Sequence, residues 1–195
     1  MRSAERPSPS GAASVARIET WSGRQFAARI DEAMRIYVRA MKYPEHTGSQ
    51  RAVSARKHVA YDGFACRAAL IEDGTLVGFG YGYTTKPGQW WHDLVRNAVP
   101  GELARDWLRD AFELSELHVL PQYHGIGIGR RLLTSLADGI PHAAMLLSTP
   151  DADTRAFRLY RDTGFVDLAR NYLFPGDARP FAVLGARLPL TSARK

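Results

Sequence analysis

The sequence predicts a mixed α/β fold: a central, mostly antiparallel sheet with one parallel crossover, flanked by helices. Three observations carry this expectation. Apolar residues recur at helical spacing in the stretch that holds Phe26, Ile30, Ala33, Met34, Tyr37, Val38 and Met41. Two short runs, Arg67 to Ile71 and Leu76 to Tyr83, flank Glu72-Asp-Gly-Thr75, a strong hairpin signal. From Phe112 to Ser148 a strand, a glycine-rich turn, a helix and a second strand follow one another, the pattern of a right-handed parallel crossover.

The elements follow in order. Residues 1–14 carry two arginines, prolines and small residues without the apolar stretch of a secretory signal, and read as a disordered leader. Arg17 to Thr20 is a short first strand, and Ser22 is an N-cap for a helix that stops before Tyr43-Pro44. A weaker helix is expected from Ser49 to about Val59. After the hairpin, Lys86 to Trp91 reads as a loop, Glu102 to Arg109 as a short helix, and Phe112 to Leu120 as a strand closed by Pro121. The helix behind the glycine turn puts Ile128, Leu132 and Leu136 on one face and ends at Asp138-Gly-Ile-Pro141. Ala143 to Ser148 is a buried strand. Asp151 to Thr163 is a helix capped by Gly164, and Val166 to Phe174 and Phe181 to Leu188 are the final strands. The expected organisation is one domain over 15–190, with a tail at 191–195.

Composition narrows the class. With 195 residues, 45% hydrophobic and 24% charged, the chain suits a single core that needs no disulfide or structural metal. No apolar run is long enough to cross a bilayer, so no membrane partner is expected. Cys66 is the only cysteine, which excludes an intramolecular disulfide and multi-cysteine zinc sites and favours a reducing cytoplasm. Cys66 itself reads as a strand residue. The net charge of +6 attracts anions, either nucleic acid or a phosphorylated cofactor. The basic residues are dispersed, and no zinc-finger spacing or RNA-recognition motif appears, so nucleic acid is disfavoured. The densest cluster, Arg51, Arg56, Lys57 and His58, reads as a solvated helix face.

Leu117 to Leu133 carries the functional argument. Gly125, Gly127 and Gly129 alternate and let the backbone pass close to a ligand. The helix behind them aims free N–H groups and its positive end at that ligand, and Arg130 and Arg131 add full charge. Together these suit a pyrophosphate. The spacing is neither the dinucleotide fingerprint nor a phosphate loop. A purely structural turn is the competing reading.

Val119, Pro121, Gly125, Gly127 and Gly129 resemble motif A of the GNAT superfamily of acyl-CoA N-acyltransferases, Val-x-Pro-x-x-(Arg or Gln)-Gly-x-Gly-x-Gly, with His124 where Arg or Gln is usual. Asp153 to Phe165 is similar to that family's later motif, Asn-x-x-Ala-x-x-Leu-Tyr-x-x-x-Gly-Phe. Ala156, Leu159, Tyr160, Gly164 and Phe165 match, and Asp153 replaces Asn. The resemblance is specific from Glu116 to Phe165 and implies a GNAT-like acyl-CoA N-acyltransferase fold. It implies acetyl-CoA as acyl-donor cosubstrate, no metal, and an amine acceptor that is either a small molecule or a protein. A homodimer is left open. A non-catalytic acyl-CoA-binding sensor or interaction protein on the same fold is the alternative.

The chemistry to be served is demanding. A lysine-like ammonium with a pKa of about 10.4 is nucleophilic in only roughly one molecule in 2,500 at pH 7, a deficit of ~4.6 kcal/mol. A base must offset that, and the leaving thiolate gains from an acid. The resemblance implies Tyr160 as the acid, with a core tyrosine as the plain alternative. Strand alternation puts Leu114, Glu116 and His118 on one face. The resemblance, in which a carboxylate on this strand often takes the amine proton directly or through water, implies Glu116 as the candidate base and His118 as its rival, against a structural ion pair. The resemblance also implies cofactor contacts from Val119, Leu120, His124, Gly125, Gly127, Gly129, Arg130 and Asp153. The N–H groups near Val119 and Leu120 would polarise the thioester carbonyl. His124 either offers an N–H near the pyrophosphate or faces solvent. Tyr43, Trp90 and Trp91 either line the acceptor pocket, the tryptophans holding a cation by its attraction to the π-face, or cover core surface.

Overall fold

The computed structural model describes residues 16–191. The leader expected over 1–14 and residues 192–195 of the tail lie outside the described residues. Seven helices occur among them: α1 (Gly23–Ala28), α2 (Ile30–Met41), α3 (His46–His58), α4 (Trp90–Ala98), α5 (Gly101–Leu108), α6 (Ile128–Ala137) and α7 (Arg155–Asp162). The strands are β1 (Arg17–Trp21), β2 (Ala65–Leu70), β3 (Leu76–Thr84), β4 (Ala111–Val119), β5 (Ala144–Pro150), β6 (Val166–Leu173) and β7 (Pro180–Arg187). They form one sheet in the order β1-β2-β3-β4-β5-β7-β6. It is mostly antiparallel, and β4 with β5 is its parallel pair, joined through α6 as the sequence predicts. That ladder registers only Ala111, Phe112 and Glu113 against Ala144, Met145 and Leu146.

The chain groups into two compact units that alternate along it. The first takes residues up to Ala60, then Ala65–Tyr81 and Glu116–Leu136; the second takes Tyr61–Phe64, Gly82–Ser115 and Ala137 onward.

In the first unit, Ser22 and Gln25 form a capping box. The Ser22 hydroxyl accepts from the Gln25 N–H at 3.3 Å and the Gln25 carboxamide accepts from the Ser22 N–H at 2.8 Å. The single helix expected from Ser22 onward is two, because Arg29 leaves helical dihedrals (φ −118°, ψ 21°). The hairpin turn forms as expected, with Gly74 at φ +80° and the Asp73 carboxylate accepting from the Thr75 N–H at 2.8 Å. Gly78, Phe79, Gly80 and Tyr81 alternate along β3. Its large side chains share one face, where Phe26 from α1 packs on Phe79 and Tyr81 at 6.0 and 4.8 Å between ring centroids. On the other face a Cβ at Gly78 would lie 3.3 Å from Leu132 of α6. Helix α3 buries only small residues, Gly48, Ala52 and Ala55, and a Cβ at Gly48 would lie 3.1 Å from Val38 of α2.

In the second unit, Trp91, Val95, Val99, Ala104 and Trp107 from α4 and α5 pack on Ala111, Ala144, Leu146 and Val183 of the sheet. Helix α4 was not anticipated: Trp90 and Trp91 open a helix rather than close a loop, and its buried stripe is Trp91, His92 and Val95. Helix α7 starts four residues later than expected, because Thr154 is its N-cap and accepts from the Phe157 N–H at 3.0 Å. Asp151 instead holds Arg170 and the Asn171 N–H.

Gly82 of β3 is fixed by its neighbour strand, since a Cβ there would lie 1.9 Å from the Glu113 carbonyl oxygen and 2.4 Å from the Phe112 ring. Gly82→Ala is expected to destabilise the protein by about 3 kcal/mol, because backbone rather than a flexible side chain must move. A lowered urea midpoint at unchanged slope measures it.

Candidate active site

The site grows from the alternation of β4. Glu116 and His118, two residues apart on a strand, share a face, and the His118 Nε2 stands 2.5 Å from Glu116 Oε2. A carboxylate only accepts, so Nε2 carries the proton. The other carboxylate oxygen accepts from Arg51 Nε, which α3 brings across 65 positions of sequence. The Glu116 side chain is 5% exposed and that of His118 12%, so both sit where screening by water is weak.

The electrostatics follow from this burial. Desolvation alone would raise the Glu116 pKa, but the Arg51 charge and the His118 hydrogen bond outweigh it and hold the carboxyl at about 2. Burial likewise opposes the Arg51 charge, yet Glu116 prevails and the guanidinium is held more firmly protonated than usual. His58, whose Nδ1 stands 3.1 Å from the Tyr81 hydroxyl, is pushed down to about 4, first by burial and then by Arg51. It is therefore neutral at pH 7. The His118 ring meets Tyr37 edge-on at 5.2 Å and Phe79 at 5.7 Å, and Tyr37 meets Tyr43 at 5.5 Å. The expected pair of Glu116 and His118 is thus brought together, with Tyr43 one ring further out.

Arg51, Tyr37, His58 and Tyr81 are additions. The cluster read as a solvated face divides: Arg56 and Lys57 are exposed, while Arg51 and His58 turn inward. The signal lay in spacing, since Gly48, Arg51, Ala52, Ala55 and His58 fall on one helical stripe. Both oxygens of Glu116 are engaged, by Arg51 and by His118, which is the ion pair weighed beside its reading as the base.

The glycine turn follows β4 through a short 3-10 turn, Pro121–Tyr123. Gly125 and Gly127 adopt φ +82° and +87°, the left-handed region that glycine enters without strain. The Arg131 N–H donates to the Gly127 carbonyl at 3.0 Å, which starts α6. Among the described residues, the N–H groups from Gly125 to Gly129 donate to no protein acceptor. Arg130 lies exposed at that helix start.

Two expectations at the turn are corrected. The Leu120 N–H donates to the Val77 carbonyl at 2.9 Å, so it is committed to the sheet. Amides alternate along an extended strand, and the Val119 N–H therefore points away from β3, beyond Glu113, the last residue that pairs with β5. His124 does not offer its ring N–H outward. Its Nε2 donates to the Val119 carbonyl at 2.6 Å.

The remaining expected residues belong to the second unit. Tyr160 on α7 is 6% exposed, with its ring 5.4 Å from Phe165. Asp153 is exposed and accepts from Arg158 at 2.8 Å. Trp91 is corrected from a pocket residue to a core one: it is 7% exposed and its indole N–H donates to Ser148 at 3.0 Å. Trp90 is 60% exposed, 5.8 Å from Phe174.

A mixed sheet with one parallel crossover, and a turn of unpaired amides opening the crossover helix, define the acyltransferase architecture. The Acetyltransferase (GNAT) family matches residues 30–165, a span that draws on both units. The chain is 36% identical over 191 residues to the GCN5-like protein acetyltransferase Rv2170 of Mycobacterium tuberculosis, covering 83% of this chain and 93% of that protein. Its fold is similar to that of yncA from Salmonella typhimurium, solved with acetyl-CoA (TM-score 0.61, 17% identity, 92% of this chain and 98% of that one). It is also similar to a GNAT-family structure from Desulfovibrio desulfuricans (TM-score 0.62, 13% identity, 88% and 98%). The chain belongs to the GNAT acetyltransferase family.

Acid should unfold this protein in two windows. The unfolded chain takes up a histidine proton near 6.5, but native His58 does so only near 4, so stability present above pH 6.5 is lost as pH falls through 4. Glu116 adds a second loss from 4.5 towards 2. His58→Gln should flatten the upper window and leave the lower one, as read from urea midpoints between pH 7 and pH 3.

Proposed function

We propose that this chain is an N-acetyltransferase that moves the acetyl group of acetyl-CoA to a primary amine by direct attack within a ternary complex. The observation that carries this reading is the row of unpaired N–H groups from Gly125 to Gly129 at the start of α6, a cradle for the pyrophosphate of coenzyme A. Arg130 adds charge there, and Asp153 is assigned to the cofactor through its motif. The yncA structure, which holds acetyl-CoA, supports the choice of donor. The M. tuberculosis relative is a protein acetyltransferase, which favours a protein amine as the acceptor. We read residues 15–190 as one catalytic module, working without metal in the cytoplasm.

In this reading the Val119 N–H polarises the thioester carbonyl, a contribution of a few kcal/mol in comparable sites. The amine loses a proton to the Glu116–His118 pair, its lone pair forms the C–N bond, and the C–S bond breaks. Tyr160 gives its hydroxyl proton to the departing sulfur. The resulting tyrosinate regains a proton from the nitrogen that has just become an amide. Tyr43 and the exposed Trp90 are assigned to the acceptor.

Acetyl-CoA at 100 times its Kd should stabilise the native protein by about 2.7 kcal/mol, seen as a raised Tm. Release of free thiol is then scored with a lysine peptide, spermidine, an aminoglycoside and free amino acids. No stabilisation by acetyl-CoA overturns the reading, and stabilisation without thiol release from any amine replaces it with a non-catalytic acyl-CoA sensor. Tyr160→Phe should lower kcat roughly 100-fold while the Kd for acetyl-CoA stays within about twofold. Equal turnover removes Tyr160 from the mechanism.

A further inference from the structure

Arg51, Glu116 and His118 form a line of contacts running from α3 to the face of β4: a guanidinium on one carboxylate oxygen, an imidazole N–H on the other. Each link fixes the next. Arg51 is held from α3, whose Gly48, Ala52 and Ala55 let that helix lie close. Its Nε–H donates to one oxygen of the carboxylate and leaves the other for His118. The carboxylate, an acceptor only, fixes the proton of His118 on Nε2. In the neutral ring the other nitrogen, Nδ1, carries the free lone pair, and it meets no protein donor or acceptor among the described residues. The ring stands between Tyr37 and Phe79, which limit its rotation.

We propose that His118 Nδ1 is the base that deprotonates the acceptor amine, and that Glu116 and Arg51 are positioning residues that hold it in this tautomer. The proposal rests on the acetyl-transfer reading and deepens it. An ammonium R–NH3+ hydrogen-bonded to Nδ1 gives up one proton to it. The nitrogen keeps the electron pair and uses it on the acetyl carbonyl carbon, while the imidazolium stays stabilised by Glu116 across the ring. The proton passes to water once the acetylated amine leaves. Glu116 takes no proton at any step. The charged and titratable groups around the pair are Arg51 and His58 from α3, Tyr81 from β3, and Tyr37 from α2 with Tyr43 just beyond it. His58 is held neutral at pH 7 by burial and by Arg51, and the Arg51 charge is the largest influence that favours the Glu116 carboxylate.

Two measurements on the full chain separate this proposal from a merely structural role. The first is 15N NMR of the free enzyme labelled at histidine. In the neutral ring of His118 the proton should sit on Nε2 and the lone pair on Nδ1. In Glu116→Gln, whose side chain both donates and accepts, the two tautomers should mix. The second is turnover, using acetyl-CoA and the most active amine of the panel above. His118→Ala should lower kcat roughly 100- to 10,000-fold while the KM for acetyl-CoA stays within about twofold, and added imidazole should restore part of the rate. Glu116→Gln should lose less, in kcat alone. A wild-type proton on Nδ1 overturns the positioning role. Wild-type turnover in His118→Ala, or a deficit that imidazole leaves untouched, overturns the base. No thiol release by the wild type with any amine overturns acetyl transfer itself, and the NMR result still reports on the tautomer.

Discussion

Taking a carboxylate out of water costs several kcal/mol, and the cost is met only where a cation and further hydrogen bonds share the burial. Glu116, in the middle of a sheet and under two helices, is such a group. Arg51 and His118 satisfy it, one on each oxygen. That requirement reaches well beyond three side chains. The guanidinium reaches β4 from α3, a helix whose buried residues are glycine and alanine and which packs closely on α2. A larger residue at Gly48 would press on Val38 and shift α3, the helix that carries Arg51, against α2. The short side chains of α3 and the charge of one glutamate are therefore two sides of one constraint.

The alternation of β3 divides the first unit's tasks between the two faces of its sheet. Phe79 and Tyr81 point to the side of α1, where Glu116 and His118 of β4 also lie. Gly78 turns to the side of α6, the helix that opens with the unpaired amides. The aromatic surround of the Glu116–His118 pair and the helix that opens with the unpaired amides are thus kept on opposite sides of the same two strands. The Leu120 N–H, bonded to Val77, ends that pairing, and the chain then leaves the sheet for the turn.

Much of this was legible in the sequence because its determinants are local. Glycines at alternate positions after a strand and before an amphipathic helix specify the turn within a dozen residues, and the alternation of β4 placed Glu116 beside His118 without reference to any other element. What escaped was long-range or masked by composition. Arg51 is separated from Glu116 by 65 positions, and among basic neighbours it looked like one more solvated charge. Trp90 and Trp91 resembled a loop because Pro87 and Gly88 precede them, yet the burial of Trp91 and Val95 makes the following segment a helix. The break at Arg29 leaves the apolar period almost unaltered, so periodicity could not report it. The commitment of the Leu120 amide depends on the register of β4 against β3, which no single strand encodes.

One contact at the turn bears on the chain entropy of the loop. The imidazole of His124 reaches back to the last carbonyl of β4, stapling the start of the loop to the strand it has just left. A segment anchored at both ends, by that ring at one and by the first bond of α6 at the other, has already surrendered most of its chain entropy before anything arrives. An anion that docks on such a segment has little further chain to order, so less of its binding energy is offset by lost loop entropy.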